Sequence, residues 1–214
     1  MRFRALLSWL WPMPVDRFTT LHGPMEVRYE GGALVLNSER GNQSFGSLHR
    51  VWQDVFQRIG LKNSPPTSVL LLGLGGGSVV RILREELRLP CPITAIELDP
   101  AMIAAGNRHF GLSQVGGLQV IQGDAMVQIH ALRERFDLVV VDLFDDLDLA
   151  RGADSLGFAH ALRDRCQGTL CFNTVGHDAA SWARCERVAV NLRKVFVTVD
   201  ELRLEGVNRV FIAR

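Results

Sequence analysis

The sequence predicts an α/β fold, with a doubly wound, mostly parallel sheet of seven strands preceded by a short β-hairpin and a helix. Strand-like and helix-like segments alternate from residue 68 onward, which is typical of a parallel sheet covered by helices on both faces. Two strand segments, 69–72 and 138–141, are entirely apolar, as expected for strands buried on both sides. A glycine-rich turn at 73–77 joins the first of them to a helix.

The first 64 residues divide into two predicted parts. Residues 1–23 form an N-terminal extension whose apolar run is too short to span a bilayer. We expect it to form a short helix that packs on the domain or on a partner, with a weak membrane-surface anchor as the alternative. Residues 24–64 form a hairpin with its turn at Gly31-Gly32, followed by a helix over 45–60.

Residues 65–214 form the predicted sheet domain. Apolar runs and alternation predict its strands, at 69–72, 93–96, 118–121, 136–141, 169–172, 195–199 and 207–212. Helices are predicted at 79–89, 100–109, 154–164 and 178–192. The second of these helices has a clear start, because Asp99 is a favourable N-cap residue and Pro100 suits the first helical position.

Composition excludes several classes of protein. The 214 residues carry a net charge of +1 and are 47% hydrophobic and 22% charged, which excludes a disordered chain and argues against a nucleic-acid partner. The four cysteines lack the spacing of a zinc site, so we expect no metal and a reducing, cytoplasmic location. They are Cys91, Cys166, Cys171 and Cys185.

Acidic residues follow consecutive predicted strands. Gly73, Gly75 and Gly77 have the spacing G-x-G-x-G, whereas position 78 is serine, so the dinucleotide pattern G-x-G-x-x-G is not met. Glu97 ends the second strand, and Asp124 and Asp142 follow the third and fourth. Because ligands bind outside the carboxyl ends of parallel strands, we expect the turn and these acids to converge on one nucleotide site.

Four segments together resemble the spermidine synthase family, whose members have a Rossmann-like class I methyltransferase domain. They are Val69-Leu-Leu-Leu-Gly-Leu-Gly-Gly-Gly-Ser78, Ala95-Ile-Glu-Leu-Asp-Pro100, Gly123-Asp-Ala125 and Val140-Val-Asp-Leu-Phe-Asp145. The resemblance implies S-adenosylmethionine (AdoMet), or its decarboxylated form, as cofactor. The implied cofactor-binding residues are Gly73, Gly75, Gly76, Gly77, Glu97, Leu98, Asp124, Ala125 and Asp142. It also implies a catalytic role for Asp142, a second acid at Asp145 near the acceptor, and a homodimer.

Departures from that family bear on the reaction. Position 76 is glycine where spermidine synthases carry an acid that faces the ammonium of decarboxylated AdoMet. We expect the Gly76 N–H, near a helix N-terminus, to suit the carboxylate of ordinary AdoMet. The acid-rich gate segment and a Pro-x-Gly-Pro motif after Asp145 are also missing. Gln43 and His49 are predicted to line the acceptor side.

The predicted function is therefore an AdoMet-dependent transferase, most simply a methyltransferase acting on a small molecule, with an amine as one candidate acceptor. Two alternatives stay open at this point. One is an aminopropyltransferase that uses decarboxylated AdoMet in polyamine synthesis. The other is a nucleotide-binding protein without catalysis.

Overall fold

The computed structural model describes residues 2–38, 42–145 and 147–214, and describes Arg2, Asn42 and Gln43 by their backbone alone. The helices are α1 (Arg2–Leu7), α2 (Ser47–Arg58), α3 (Ser78–Arg81, continued by a π-helical turn over Ile82–Glu86), α4 (Pro100–Phe110), α5 (Ala125–Ala131), α6 (Leu156–Arg165) and α7 (Ala179–Val195). The strands are β1 (Met13–Thr20), β2 (Gly23–Glu30), β3 (Ala33–Ser38), β4 (Asn42–Ser44), β5 (Val69–Leu72), β6 (Ile93–Glu97), β7 (Leu118–Gln122), β8 (Phe136–Val141), β9 (Phe144–Asp145), β10 (Asp148–Leu149), β11 (Cys166–Val175), β12 (Val199–Leu204) and β13 (Asn208–Ala213).

The main sheet has seven strands in the order β12-β13-β11-β8-β5-β6-β7. β13 is antiparallel to both of its neighbours, and the other six strands run in one direction. This confirms the predicted doubly wound, mostly parallel sheet. In the register of the central strands, Leu72 lies opposite Ile96 on one side and Val141 on the other, so these three strands end side by side.

Two hydrophobic cores cover the two faces of this sheet. One lies beneath α5, α6 and α7 and includes Phe158, Phe172 and Leu192. The other lies beneath α2 and α3 and includes Trp52, Phe56 and Leu83. Adjacent side chains of β5 and β8 point alternately into the two cores, and this explains why both strand sequences are apolar throughout.

The N-terminal part forms a separate antiparallel sheet of four strands, β1-β2-β3-β4. The predicted hairpin is β2 and β3, and its turn places Gly31 and Gly32 at positive φ angles of 55° and 83°. The structure adds a strand at Met13–Thr20, within the N-terminal extension, for which the sequence predicted only a short helix. The alternation of β1 is broken by an irregularity between Pro14 and Asp16, which hid the strand pattern.

Two further element predictions need correction. The predicted strand at 195–199 is wrong: α7 runs to Val195 and the strand is Val199–Leu204. Alternating valines suggested a strand there, but Val197 is 89% exposed and lies in the connection. Helix α5 was not predicted, since a seven-residue helix is too short to show a clear apolar period. In the described part of the chain, no helix is long and apolar enough to cross a membrane.

Candidate functional site

A cavity of about 260 Å³ lies at the carboxyl ends of β5, β6 and β8. Its floor includes the glycine turn after β5, and Thr20, His22 and Met25 of the N-terminal sheet form part of its wall. Ligands of open α/β sheets bind at this edge, where successive strands end side by side. The cavity therefore lies where the sequence places the candidate site.

The glycine turn is held in shape by Glu97. The backbone N–H groups of Leu74 and Gly75 both donate to Glu97 Oε2 at 3.0 Å, and Asp99 N–H donates to Oε1 at 3.0 Å. Oε2 therefore uses both of its lone pairs on the turn, whereas Oε1 has one left and can still accept a hydrogen bond from a ligand hydroxyl. Gly73 has a φ of 88°, and a Cβ built there would come within 2.1 Å of the Asp142 carbonyl oxygen. Only glycine fits at position 73.

Asp124 has a structural task as well as a place in the cavity. Its Oδ1 accepts the Met126 N–H at 2.8 Å and so caps α5. Leu98 and Ala125, which the resemblance assigns to the cofactor, line the cavity beside it. The Leu98 side chain remains 42% exposed, so this end offers both an apolar surface and a carboxylate, a combination that suits a nucleoside.

Asp142 follows the end of β8 and is half-buried. Trp52 Nε1–H donates to Oδ2 and Asn173 Nδ2–H donates to Oδ1, both at 2.9 Å. Burial raises the pKa of Asp142 to about 6, against the lowering effect of these two hydrogen bonds, and the nearby Glu97 adds to the rise. Asn208 in turn donates to Asn173 Oδ1 at 3.1 Å and fixes the amide orientation. The carboxylate is thus held rigidly and titrates near neutral pH.

Asp145 is the second acid at this end of the cavity. Its Oδ1 lies 2.5 Å from His22 Nδ1, so the β1–β2 turn reaches across to the loop after β8. The Asp145 side chain is mostly exposed, unlike that of Asp142. The two acids therefore offer one half-buried and one exposed carboxylate to the same cavity.

Two predicted cofactor residues instead serve packing. The Gly76 N–H donates to Ser44 Oγ at 2.8 Å, so the expectation that it is free for a ligand carboxylate is wrong. A Cβ at position 76 would come within 3.0 Å of Ser44 Cβ and 3.3 Å of the Phe110 ring. Gly77 caps α3 with a φ of 96°, and a Cβ there would come within 2.5 Å of Leu112. Neither glycine lines the cavity.

The predicted acceptor residues are not brought to this cavity by the described structure. His49 Nε2 lies 2.6 Å from Glu86 Oε1, and the ring borders a separate open groove of about 900 Å³ between the N-terminal sheet and α3. His49 therefore does not line the cavity at the strand ends, and its role on the acceptor side stays a prediction. The side chain of Gln43 lies outside the described residues.

Sequence reasoning missed the partners of the acids. Trp52 fits the apolar stripe of α2 and was assigned to the core, where most of its ring does lie. Only its indole N–H, the single polar atom in that stripe, could have signalled a contact. Asn173 interrupts the apolar run of β11, and a polar residue in a buried strand was an available signal. His22 carried no signal. The described residues include no cluster of three or more metal-ligating side chains.

Comparison with known proteins gives two groups of sequence relatives. An eEF1A lysine and N-terminal methyltransferase homolog from Drosophila pseudoobscura pseudoobscura is 30% identical over 186 residues, 78% of this chain. A polyamine aminopropyltransferase from Chromobacterium violaceum is 31% identical over 90 residues, 42% of this chain. The chain spans 27% and 34% of the lengths of these two relatives. No protein-family model matches the chain.

Solved structures similar to this chain include methyltransferases and spermidine synthases. Human methyltransferase-like protein 13 in complex with SAH superimposes with a TM-score of 0.64 at 21% identity, over 79% of this chain and 82% of that chain. Spermidine synthase from Thermotoga maritima superimposes with a TM-score of 0.69 at 14% identity, over 94% and 72% of the two chains. At these identities the likeness establishes a shared fold.

Proposed function

We propose that this chain, which adopts the class I methyltransferase fold, is an AdoMet-dependent transferase. More specifically, we propose a methyltransferase that acts on a small-molecule acceptor. The observation that carries the proposal is the convergence of the Glu97-braced glycine turn, Asp124 and Asp142 on one cavity. The names of the sequence relatives support the same reaction class. An amine is the acceptor class that the two acids of the cavity favour.

The residues of the cavity fit a nucleoside cofactor. Glu97 and Asp124 provide carboxylate oxygens that would accept hydrogen bonds from the ribose hydroxyls and the adenine amino group, and Leu98 provides an apolar face for the ring. When bound, AdoMet supplies a methyl group on a positively charged sulfur, which makes the methyl carbon electrophilic. The protein's main task is then to hold the acceptor in line with that carbon.

Asp142 is the proposed base. With a pKa of about 6 its carboxylate is ionised at neutral pH, where it attracts an ammonium acceptor. An amine must lose one proton before it attacks, and an Asp142 oxygen would take that proton. Trp52 and Asn173 hold the carboxylate in a single orientation while this happens. Asp145 would bind a second positive group of the acceptor.

The residue at position 76 helps to distinguish a methyltransferase from an aminopropyltransferase. The resembled aminopropyltransferases place an acid there for the ammonium of decarboxylated AdoMet, and in this chain Ser44 and Phe110 pack where such a side chain would begin. Because position 76 carries no acid, the ammonium group of decarboxylated AdoMet would find no carboxylate there to pair with. This supports ordinary AdoMet, and aminopropyl transfer remains the alternative.

Calorimetric titration of one purified sample with AdoMet and with decarboxylated AdoMet tests the choice. We expect AdoMet to bind at least about tenfold more tightly, a difference of about 1.4 kcal/mol. Tighter binding of the decarboxylated form would make aminopropyl transfer the better assignment. Binding of neither compound would contradict the transferase proposal and favour a nucleotide-binding protein without catalysis.

Asp142→Asn tests the catalytic role, because it removes the base and keeps the side-chain volume. We expect turnover to fall at least about 100-fold, with AdoMet affinity nearly unchanged. In the unaltered protein, turnover should rise as the pH increases through about 6, where the carboxylate ionises. Formation of S-adenosylhomocysteine is measured with diamine and lysine-peptide acceptors. Asp148→Asn, on β10 outside the cavity, is the control; full activity of Asp142→Asn would remove the assigned role.

The four cysteines are buried and free, which supports the proposed cytoplasmic location.

The predicted homodimer remains a proposal, to be checked by sedimentation across micromolar concentrations.

A further inference from the structure

The N-terminal segment, residues 3–11, turns its large apolar side chains toward solvent. Phe3, Leu6 and Leu7 lie on α1 at the spacing i, i+3, i+4 and are 72%, 69% and 36% exposed; Leu10, in the turn that follows, is 86% exposed. Trp9 and Trp11, in the turn after α1, are 73% and 76% exposed. Most surface helices of a soluble domain bury their apolar face, whereas this segment exposes its apolar side chains to solvent.

Polar contacts fix that orientation. Ser8 is buried, and its carbonyl accepts the Gly31 N–H at 3.1 Å while its Oγ accepts the Gly32 N–H at 2.9 Å. The Ser8 hydroxyl also donates to the Ala5 carbonyl at 2.7 Å. The Trp9 indole lies over Gly32, where a Cβ would come within 2.7 Å of Nε1. The small polar side of the segment is thus fastened to the β2–β3 turn, and the apolar side is presented outward.

The charges of the segment have one sign. Residues 1–15 include Arg2 and Arg4 and contain no acidic residue. Residues 3–11 themselves carry Arg4 and no acid, so a second copy of the segment would bring another arginine and no negative charge to pair with it. An anionic surface, in contrast, gains from each of these charges.

We propose that residues 3–11 are a docking surface for an anionic lipid bilayer. Tryptophan, phenylalanine and leucine beside arginine match the chemistry of segments that lie in the interfacial region of a membrane. The apolar run is far too short to span a bilayer, so the segment lies on the surface and binds reversibly. The β2–β3 turn holds it in position, so the protein need not order the segment when it binds.

Flotation of the full chain with lipid vesicles tests the proposal. One set of vesicles is phosphatidylcholine alone, and the other contains an equal part of phosphatidylserine. We expect binding to the anionic vesicles that weakens as salt is raised, with a shift of tryptophan emission to shorter wavelength. The double variant Leu6→Gln with Leu10→Gln should bind at least about tenfold more weakly, since both side chains are removed from the apolar contact.

The matched control is Val197→Gln, because Val197 is 89% exposed in the connection between α7 and β12. It should bind as the unaltered chain does, and thermal unfolding checks that both variants fold. Absence of binding to anionic vesicles, or equal binding by the double variant, would overturn the proposal. Sedimentation of the same samples tests whether a second copy of the chain, instead of a lipid bilayer, binds this surface. A dimer that forms without lipid and is lost in the double variant would assign the surface to a second copy of the chain.

Discussion

Gly73 and Gly152 show how two residues with the same backbone angle differ in what they tolerate. Both have a φ of 88°, but a Cβ at position 73 would come within 2.1 Å of the Asp142 carbonyl, whereas one at 152 would meet nothing within 4 Å. Gly152→Ala should therefore cost only the left-handed strain, about 1 kcal/mol. Gly73→Ala adds a collision with a central strand end and should cost about 3 kcal/mol or more.

Urea unfolding at neutral pH measures both free energies. Equal losses in the two variants would show that backbone strain alone makes glycine necessary at position 73. A larger loss for Gly73→Ala, with weaker AdoMet binding, would show that close packing of the turn on the end of β8 matters.

At this scale the sequence predicts the acids better than their partners. Glu97, Asp124 and Asp142 were predictable, because each follows an apolar strand and parallel strands end at one edge. The contacts of Asp142 were not, since Trp52 and Asn173 lie 90 and 31 positions away and meet it only after α2 and β11 have packed. Gly76 was assigned to the cofactor because the local motif says nothing of Ser44, which belongs to another sheet.

At the scale of elements, a buried arginine joins β13, β12 and α7. Arg209 is 2% exposed; it donates to Glu201 at 2.8 Å from two nitrogens and to Glu186 at 2.7 Å, and its guanidinium lies over the Trp182 and Phe211 rings. The hydrogen bonds from Arg209, together with one from Arg203, lower the pKa of Glu201 to about 2. The antiparallel edge of the sheet thus depends on one ionic group.

Glu201→Gln should lower the free energy of unfolding at pH 7 by about 2 kcal/mol, since a buried guanidinium loses a charged partner. The folded pKa of Glu201 lies below its ordinary value of 4.5, so this stabilisation is present above pH 4.5 and disappears as the pH falls toward 2. The gap between the two proteins should therefore close on acidification, as followed by urea unfolding at several pH values.

Glu205→Gln is the control, because Glu205 pairs with the well-exposed Arg50. Its removal should change stability by less than about 1 kcal/mol. An equal effect of the two substitutions, or a gap that persists at pH 2, would show that Arg209 does not depend on the Glu201 charge.

Element boundaries were hardest to predict where the apolar pattern of the sequence does not match the burial of the side chains. The valines at 195, 197 and 199 alternate as in a strand, but the first ends α7 and the second is exposed. The long apolar strands β5 and β8 were predicted with their observed bounds, since burial on both faces leaves a continuous signal.

At the scale of the whole molecule, the N-terminal sheet and the α/β domain meet across the cavity. The Leu21 N–H donates to Asp99 Oδ2 at 2.5 Å, and His22 contacts Asp145, so the β1–β2 turn is bound to loops after two different strands. Met25, Val27 and Leu36 of the sheet also pack against Met102 of α4. Residues of both parts line the cavity.

Hydrogen exchange with S-adenosylhomocysteine added at saturation should show this coupling. We expect slower exchange in the glycine turn and also in β1 and β2, because a ligand that binds between the two parts of the cavity wall would stabilise the contacts that join them. The β12–β13 hairpin, at the far edge of the sheet, is the internal reference and should not change. Protection limited to the glycine turn would show that the N-terminal sheet moves independently of the ligand.

The hydrogen bond between Trp52 and Asp142 makes tryptophan fluorescence a probe of the protonation of Asp142. Of the four tryptophans, Trp52 is fully buried, whereas Trp9, Trp11 and Trp182 are exposed to dissolved quenchers. Once the exposed rings are quenched, the remaining emission comes from an indole whose N–H touches the carboxylate proposed as the base. Proton uptake by that carboxylate can then be followed in solution without a label, an acceptor or turnover.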